Sequence, residues 1–442
     1  MRCGFYETEI TPPLGCSMFG YATKRTAQGV KSKLYAKAAV LEQDGRYAAM
    51  LVVDATRIPK GMPEVVRRRV VEKTGIDENA ILIAATHSHT SMPVQQGTAP
   101  EQDPELDQVA MDMAALLAAD AVILAYQRLQ PVNVRFGIGQ AEGISFVREY
   151  HIKDGTIRTN PGYCMEDVVK PYSDPDTDLP AFFFTDAEGK PVGAITSFAL
   201  HHDTVSGSEI SADFSGYVAQ NLKRTFGDQF ITLFFAGFCG NINHLNYCGE
   251  PFKHTAQEIA DVLTKELLAT ISKAEPIGGD SLAVKMETIK IKKRELEPGF
   301  LDSVRELVKN PPGPGPMSIA DPYSDRMKYT QSKFLLRMYG ENPNEVFDIP
   351  VQVIKLGECL IYAFIGEVFS QFADRLRAAS PSKKNLLVSC AHSHENKPYI
   401  PIQEMFLPTV YEASLYSATL EPAAGDMMVE KALELAHQLI EN

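Results

Sequence analysis

The seven cysteines of this 442-residue chain form no C-x-x-C pair and follow no regular spacing. That argues against a disulfide framework and against a thiolate zinc site, and it predicts a reducing, cytoplasmic setting. Basic residues are also in deficit, with 43 Lys and Arg against 56 Asp and Glu, a formal net charge of −13. Such a surface repels nucleic acid and anionic lipid, so binding to a phosphate backbone is disfavoured. No apolar run approaches the roughly 18–20 residues of a membrane span, and the first residues lack the apolar core of a secretory signal. No stable membrane insertion is expected. Walker A, H-E-x-x-H and nucleophile-elbow sequences are absent, and Gly137-Ile138-Gly139 is too short a fragment to make a dinucleotide site. There is no internal repeat and no low-complexity tract.

What is present suits a large core, since 45% of the residues are hydrophobic. Continuous apolar runs at 47–54, 80–85, 192–200, 230–236 and 385–390 read as buried strands. Residues 351–356 and 359–365 read as a strand pair turning at Gly357-Glu358. Helical patterns cover 63–74, 105–129, 214–225, 254–274 and 427–440, and Glu367 opens another that runs to about Ala379. Residues 163–179 read as loop. Between 293 and 346, helical pieces flank a Pro-Pro-Gly-Pro-Gly-Pro segment at 311–316, which cannot continue a helix. This region reads as an excursion from one domain spanning 1–442. The alternation predicts an α/β fold, with α+β as the alternative: a layered domain of mixed sheets flanked by helices.

Seven of the ten histidines fall at or just beyond the ends of expected strands: His87, His89, His201, His202, His244, His392 and His394. In open α/β sheets the crevice beyond the carboxyl ends of the strands binds ligands. In Ala85-Thr86-His87-Ser88-His89, two imidazoles two residues apart in extended chain share a face. They either hold a metal ion or sit as loop histidines. At Leu200-His201-His202-Asp203, neighbours face opposite ways, so one histidine shares the site. Asp203 can orient a ligating imidazole; the other reading is a core histidine bonded to Asp203. Glu367 at a helix start is favoured by the helix dipole whether or not it does chemistry. His392, His394 and Tyr399 lie on one segment that is either a source of ligands or a polar loop. Phe238-Cys239-Gly240-Asn241-Ile242-Asn243-His244 reads as a tight turn presenting backbone amides to a substrate.

The order of these motifs resembles the catalytic N-terminal domain of the neutral/alkaline non-lysosomal ceramidase family. The resemblance runs through Thr8-Glu9-Ile10-Thr11-Pro12-Pro13-Leu14-Gly15, Ala85-Thr86-His87-Ser88-His89, Phe198-Ala199-Leu200-His201 and Asp213-Phe214-Ser215-Gly216-Tyr217. It ends at Gly366-Glu367, Tyr399-Ile400-Pro401 and Tyr411-Glu412-Ala413-Ser414. It implies one zinc ion held by His87, His201, Glu367 and Tyr399. It further implies His89, Tyr411 and Arg148 as substrate-polarising residues, with Glu367 also moving a proton. The implied reaction is hydrolysis of the amide bond of a small N-acyl compound by metal-activated water. Asn243 stands where the family carries a serine, so a serine mechanism is not implied. Asn241, Asn243 and His202 are then expected to bind substrate. The residues alone also allow a metal-dependent hydrolase of an ester or sugar derivative, or an inactive metal- or ligand-binding relative.

Overall fold

The computed structural model describes every residue except 22–23, 100–101, 164–165, 250–253, 280, 314–323, 341, 343, 393–398 and 442. The first of three main sheets comprises β1 (Arg2–Glu9), β2 (Tyr35–Gln43), β3 (Arg46–Val53) and β4 (Ile81–Ala85). Helix α1 (Met62–Thr74) connects β3 to β4, and α2 (Pro104–Gln127) follows. The second sheet repeats this plan with β5 (Asn133–Gln140), β6 (Asp178–Thr185), β7 (Pro191–Phe198) and β8 (Ile231–Ala236). Here α3 (Asp213–Phe226) is the connection and α4 (Ala256–Lys273) follows. The third sheet begins with β9 (Leu282–Lys292) and is then interrupted by α5 (Phe300–Lys309) and α6 (Asp325–Gly340). It resumes with β10 (Val346–Leu356) and β11 (Cys359–Ala363). Helix α7 (Gln371–Ala379) leads to β12 (Asn385–Val388), and α8 (Ala424–Glu441) closes the order.

One construction therefore occurs three times in a chain without a sequence repeat. Each sheet has antiparallel neighbours and a single parallel pair, β3–β4, β7–β8 or β11–β12. A parallel pair cannot be joined by a tight hairpin, so each needs its crossover helix. The inner faces of the three sheets meet in a shared core that includes Phe5 and Met50, Phe182 and Phe235, and Ile354 and Val388. The outer faces are covered by α1 and α2, by α3 and α4, and by α7 and α8. Strands covered on both faces carry continuous apolar sequence, as in the fully buried Ile81–Ala85 and Ile231–Ala236. The expectation of an α/β fold with mixed sheets holds.

Several local expectations change. Residues 163–179 are not all loop: Val168–Pro171 pairs with Glu149–Ile152, and β6 starts at Asp178. Glu367 does not open a helix. Glu367–Val368 is a short strand parallel to Tyr399–Ile400, and α7 begins four residues later at Gln371. The helix-dipole rationale for Glu367 therefore falls. Helix α2 is long and apolar enough to cross a membrane by length and composition alone, although half of its most apolar stretch is buried inside the protein. That corrects the expectation that no run reaches spanning length. Its Ala-rich face, including Ala114, Ala118 and Ala125, lies against the first sheet. In the 293–346 excursion, α5 and α6 pack with Tyr411, Leu415 and Tyr416. Part of the Pro-rich 311–316 segment lies outside the described residues. No disulfide occurs among the described cysteines.

Candidate metal centre

The carboxyl ends of the three parallel pairs open toward one another, and loops leaving them bring the polar groups together. Main-chain hydrogen bonds join the layers there. His89 N–H donates to the His202 carbonyl, Ser389 N–H to Ala236, and His392 N–H to Ile83. Gly240 N–H donates to the Val368 carbonyl at 2.8 Å. A Cβ at Gly240 would stand 2.2 Å from the Glu367 carbonyl oxygen, so only glycine permits this approach.

After β4 the chain does not stay extended. His87 adopts φ 73°, a left-handed conformation uncommon outside glycine. This turn, rather than the two-residue period of a strand, brings His87 and His89 onto one centre. His87 Nε2 lies 3.0 Å from His201 Nε2 and 3.2 Å from His89 Nε2. Glu367 Oε2 lies 3.3 Å from both His87 Nε2 and His201 Nε2. All four side chains are buried.

The far ends of two rings are committed elsewhere. His87 Nδ1 lies 2.6 Å from the Thr56 carbonyl and His201 Nδ1 lies 3.1 Å from the Cys239 carbonyl. Carbonyls only accept, so both Nδ1 atoms carry the proton and both Nε2 atoms turn toward the centre. Two imidazole lone pairs facing at 3.0 Å require a proton or a cation between them. Burial opposes ionisation of Glu367, yet His87 and His201 hold its carboxyl well below its ordinary value. Burial also depresses His87, but Glu367 and Cys390 hold it well above its ordinary value. Burial, with Arg148 and His87 adding to it, pulls His201 down to about 4. His89 is depressed by burial and by the other two rings. One carboxylate facing imidazoles oriented by carbonyls is a donor set that fits a divalent metal ion.

Tyr399 stands opposite Glu367 in the short parallel ribbon. Its Oη accepts a hydrogen bond from Arg148 Nη1 at 3.1 Å, and burial and Glu367 raise the phenol well above its ordinary value. Arg148 also reaches Glu412 Oε1 at 3.3 Å, while Thr159 Oγ1 donates to Glu412 Oε2 at 2.6 Å. The Tyr411 ring centre lies 6.2 Å from that of Tyr399. His87, His201, Glu367, Tyr399, His89, Arg148 and Tyr411 are thus gathered in one region.

The other expected site residues are placed differently. His202 stacks on Phe214 with ring centres 4.0 Å apart, so its side chain belongs to the second sheet's outer core. Asn241 accepts from Ser370 N–H and donates to Gln371, tying two loops together. Asn243 donates to Asn160 and accepts from Leu245 N–H. Both asparagines thus hydrogen-bond within the protein. Two of the turn's own amides are also occupied, Gly240 and Ile242 N–H donating to Val368 and Cys239. Asp203 does not orient His201, whose Nδ1 faces the Cys239 carbonyl; its Oδ1 lies 3.2 Å from His244 Nδ1. His392 Nδ1 lies 3.3 Å from Arg67, away from the imidazole cluster, and His394 lies outside the described residues. Sequence reasoning missed Glu412, Thr159 and the carbonyls of Thr56 and Cys239. A backbone carbonyl leaves no trace in residue type, although Glu412 stands beside the expected Tyr411.

The N-terminal domain profile of the family described as neutral/alkaline non-lysosomal ceramidase matches residues 2–245, more than half of the chain. The chain belongs to that family. Membership places it among amide-bond hydrolases. The neutral ceramidase of Pseudomonas aeruginosa is 21% identical over 499 residues, covering 99% of this chain and 72% of the relative. The crystal structure of neutral ceramidase from Pseudomonas aeruginosa superposes with a TM-score of 0.73 at 19% identity, covering 99% of this chain and 74% of that one. A ceramidase complexed with C2 gives a TM-score of 0.73 at 18% identity, covering 100% of this chain and 75% of that one. At these identities the structural likeness establishes a shared fold.

Proposed function

We propose that the chain is a zinc-dependent amidase that hydrolyses N-acyl compounds, with ceramide-like N-acyl amines as the substrate class its relatives' names suggest. The observation that carries this reading is the meeting of three imidazole Nε2 atoms and the Glu367 carboxylate at one buried point. His87, His201, Glu367 and Tyr399 would hold the ion, which supplies Lewis acidity at the scissile carbonyl and acidifies water there. The remaining groups act around it. Arg148, always charged, stabilises negative charge developing on the carbonyl oxygen and donates to the Tyr399 oxygen. Tyr411 offers a second hydroxyl on the same side. Glu367 is held as a carboxylate and accepts a proton when the carbonyl is attacked. His89 presses on His87 and limits how the cluster can rearrange.

Elemental analysis and turnover test this directly. Wild-type protein is expected to carry about one equivalent of zinc, as in sites of this kind. His87→Ala and His201→Ala should each lose most of that zinc, and chelated wild type should stop hydrolysing a panel of N-acyl amines. Full zinc retention in either variant, or unchanged turnover after chelation, would end the proposal.

A further inference from the structure

The main chain of Arg148 is pinned on both sides, whereas its tip hangs on a single nitrogen. Arg148 N–H donates to the Asn241 carbonyl, and its own carbonyl accepts from Asn160 N–H, each at 2.8 Å. The side chain is buried, and Nε has no hydrogen-bond partner among the described residues. Nη1 alone makes the contacts to Tyr399 Oη and to Glu412 Oε1, at 3.1 and 3.3 Å. An arginine has a long, flexible stem, so a guanidinium held at one corner keeps its aim only if its acceptors are fixed. Tyr399 faces the candidate metal centre, which leaves Glu412 as the anchor on the protein side.

Glu412 in turn is held by one hydroxyl. Thr159 ends the short strand Ile157–Thr159, whose antiparallel register with Glu149–Ile152 sets Thr159 opposite Glu149, next to Arg148. Thr159 Oγ1 donates to Glu412 Oε2 at 2.6 Å and accepts from Tyr411 N–H at 3.1 Å. A hydroxyl has one proton to give and lone pairs to receive, so it serves both roles at once. The strand itself is stapled to the Tyr411 segment, since Thr159 N–H donates to the Thr409 carbonyl and Thr409 Oγ1 donates to the Ile157 carbonyl. Thr159 and Glu412 are fully buried. A buried ion pair adds little net stability over apolar residues of the same volume, so what this one contributes is order.

We propose that Thr159 is a positioning residue for the hydrolysis, acting through Glu412 on Arg148 and through the main chain on Tyr411, so that one hydroxyl aims both substrate-polarising side chains. This rests on the amidase reading above. Thr159 exchanges no proton with the substrate; it supplies geometry. A donor displaced by about 1 Å can cost about 10²-fold in rate. Donors aimed at charge that develops in the transition state act on kcat more than on KM. An ester carbonyl needs polarising as an amide carbonyl does, so the effect does not depend on the leaving group.

The test uses zinc-loaded full-length protein carrying Thr159→Val or Thr159→Ser, with zinc content and the urea unfolding midpoint measured on each sample. Valine keeps the shape and deletes the hydroxyl; serine keeps the hydroxyl. Two substrates share one acyl group: an N-acyl alkylamine and the corresponding p-nitrophenyl ester. Thr159→Val should lower kcat by about 10–10²-fold on both, with KM within about threefold and zinc retained. Thr159→Ser should recover all but about threefold of that loss. Joined to Tyr411→Phe, Thr159→Val should cost less than the product of the two single losses, because part of its effect already passes through Tyr411. Wild-type kcat in Thr159→Val overturns the proposal, as does a serine variant as slow as the valine one. A double variant that shows the full product marks a merely structural threonine and overturns it as well. If Thr159→Val does not fold, Glu412→Gln decides: it keeps an acceptor for Thr159 and loosens the hold on Arg148, and an unchanged kcat there overturns the proposal. Wild-type protein that cleaves the ester but no N-acyl amine defeats the amidase reading, and the positioning role is then judged on the ester alone.

Discussion

Replacing Arg148 with methionine keeps an aliphatic stem and deletes the guanidinium. Glu412 Oε1 then loses its partner at 3.3 Å and Tyr399 Oη loses its donor at 3.1 Å. Glu412 is fully buried, and stranding a buried charge by removing one partner costs about 3–5 kcal/mol. The protein can limit that cost by protonating the carboxyl. Burial already raises Glu412, and Arg148 is the strongest influence holding it down. Without Arg148 the folded-state value climbs further above the unfolded one, so the native state binds more protons than the unfolded state over that interval. Stability of the variant therefore falls as pH rises, and its deficit against wild type should widen by up to about 1.4 kcal/mol per pH unit above about pH 5. Urea unfolding followed by far-ultraviolet circular dichroism, at about pH 5 and about pH 8, reads this out. Arg148→Lys should recover part of the loss. The double variant Arg148→Met/Glu412→Gln should recover most of it, because the Glu412 charge is removed together with its partner. A deficit below about 1 kcal/mol at the higher pH, or one that does not change with pH, would refute the assignment of Arg148 as the counter-charge of Glu412.

Tyr411→Phe should leave zinc content at the wild-type level and lower kcat on N-acyl amines by about 10²-fold, the usual cost of removing one oxyanion donor; unchanged turnover removes Tyr411 from the chemistry. Gly240→Ala forces a Cβ to 2.2 Å from the Glu367 carbonyl oxygen. The strain of about 1–3 kcal/mol should displace Glu367 and weaken zinc binding in competition with a chromophoric chelator. Wild-type affinity in that variant would show that this contact does not hold Glu367 in place.

Several strands buried on both faces were legible in the sequence, because the sheets press inward on one another and outward on helices, although β2 and β6, buried in the same way, were not read. β4 and β8 are unbroken apolar runs for that reason. β5 escaped notice because Asn133, Arg135, Gly137 and Gly139 interrupt its pattern, and β9 because Lys285, Glu287, Lys290 and Lys292 dilute it. The histidines beyond the strands pointed to the right end of the sheets. What could not be read was their final direction. His87 depends on a left-handed residue, His202 on the face of Phe214, and Asp203 on His244, which lies 41 residues away in sequence. The threefold construction was equally hidden, since it is set by strand pairing and crossover geometry and not by recurring residues.

Each sheet contributes differently to the candidate centre: His87 and His89 come from the first, His201 from the second and Glu367 from the third. No layer alone holds a complete donor set. Affinity for a cation is then a property of the assembled trio, and a folding species with one layer still undocked would have near-native circular dichroism and poor metal retention. The coupling also runs in reverse: an ion bound only by the docked arrangement lends its binding free energy to the cohesion of the layers.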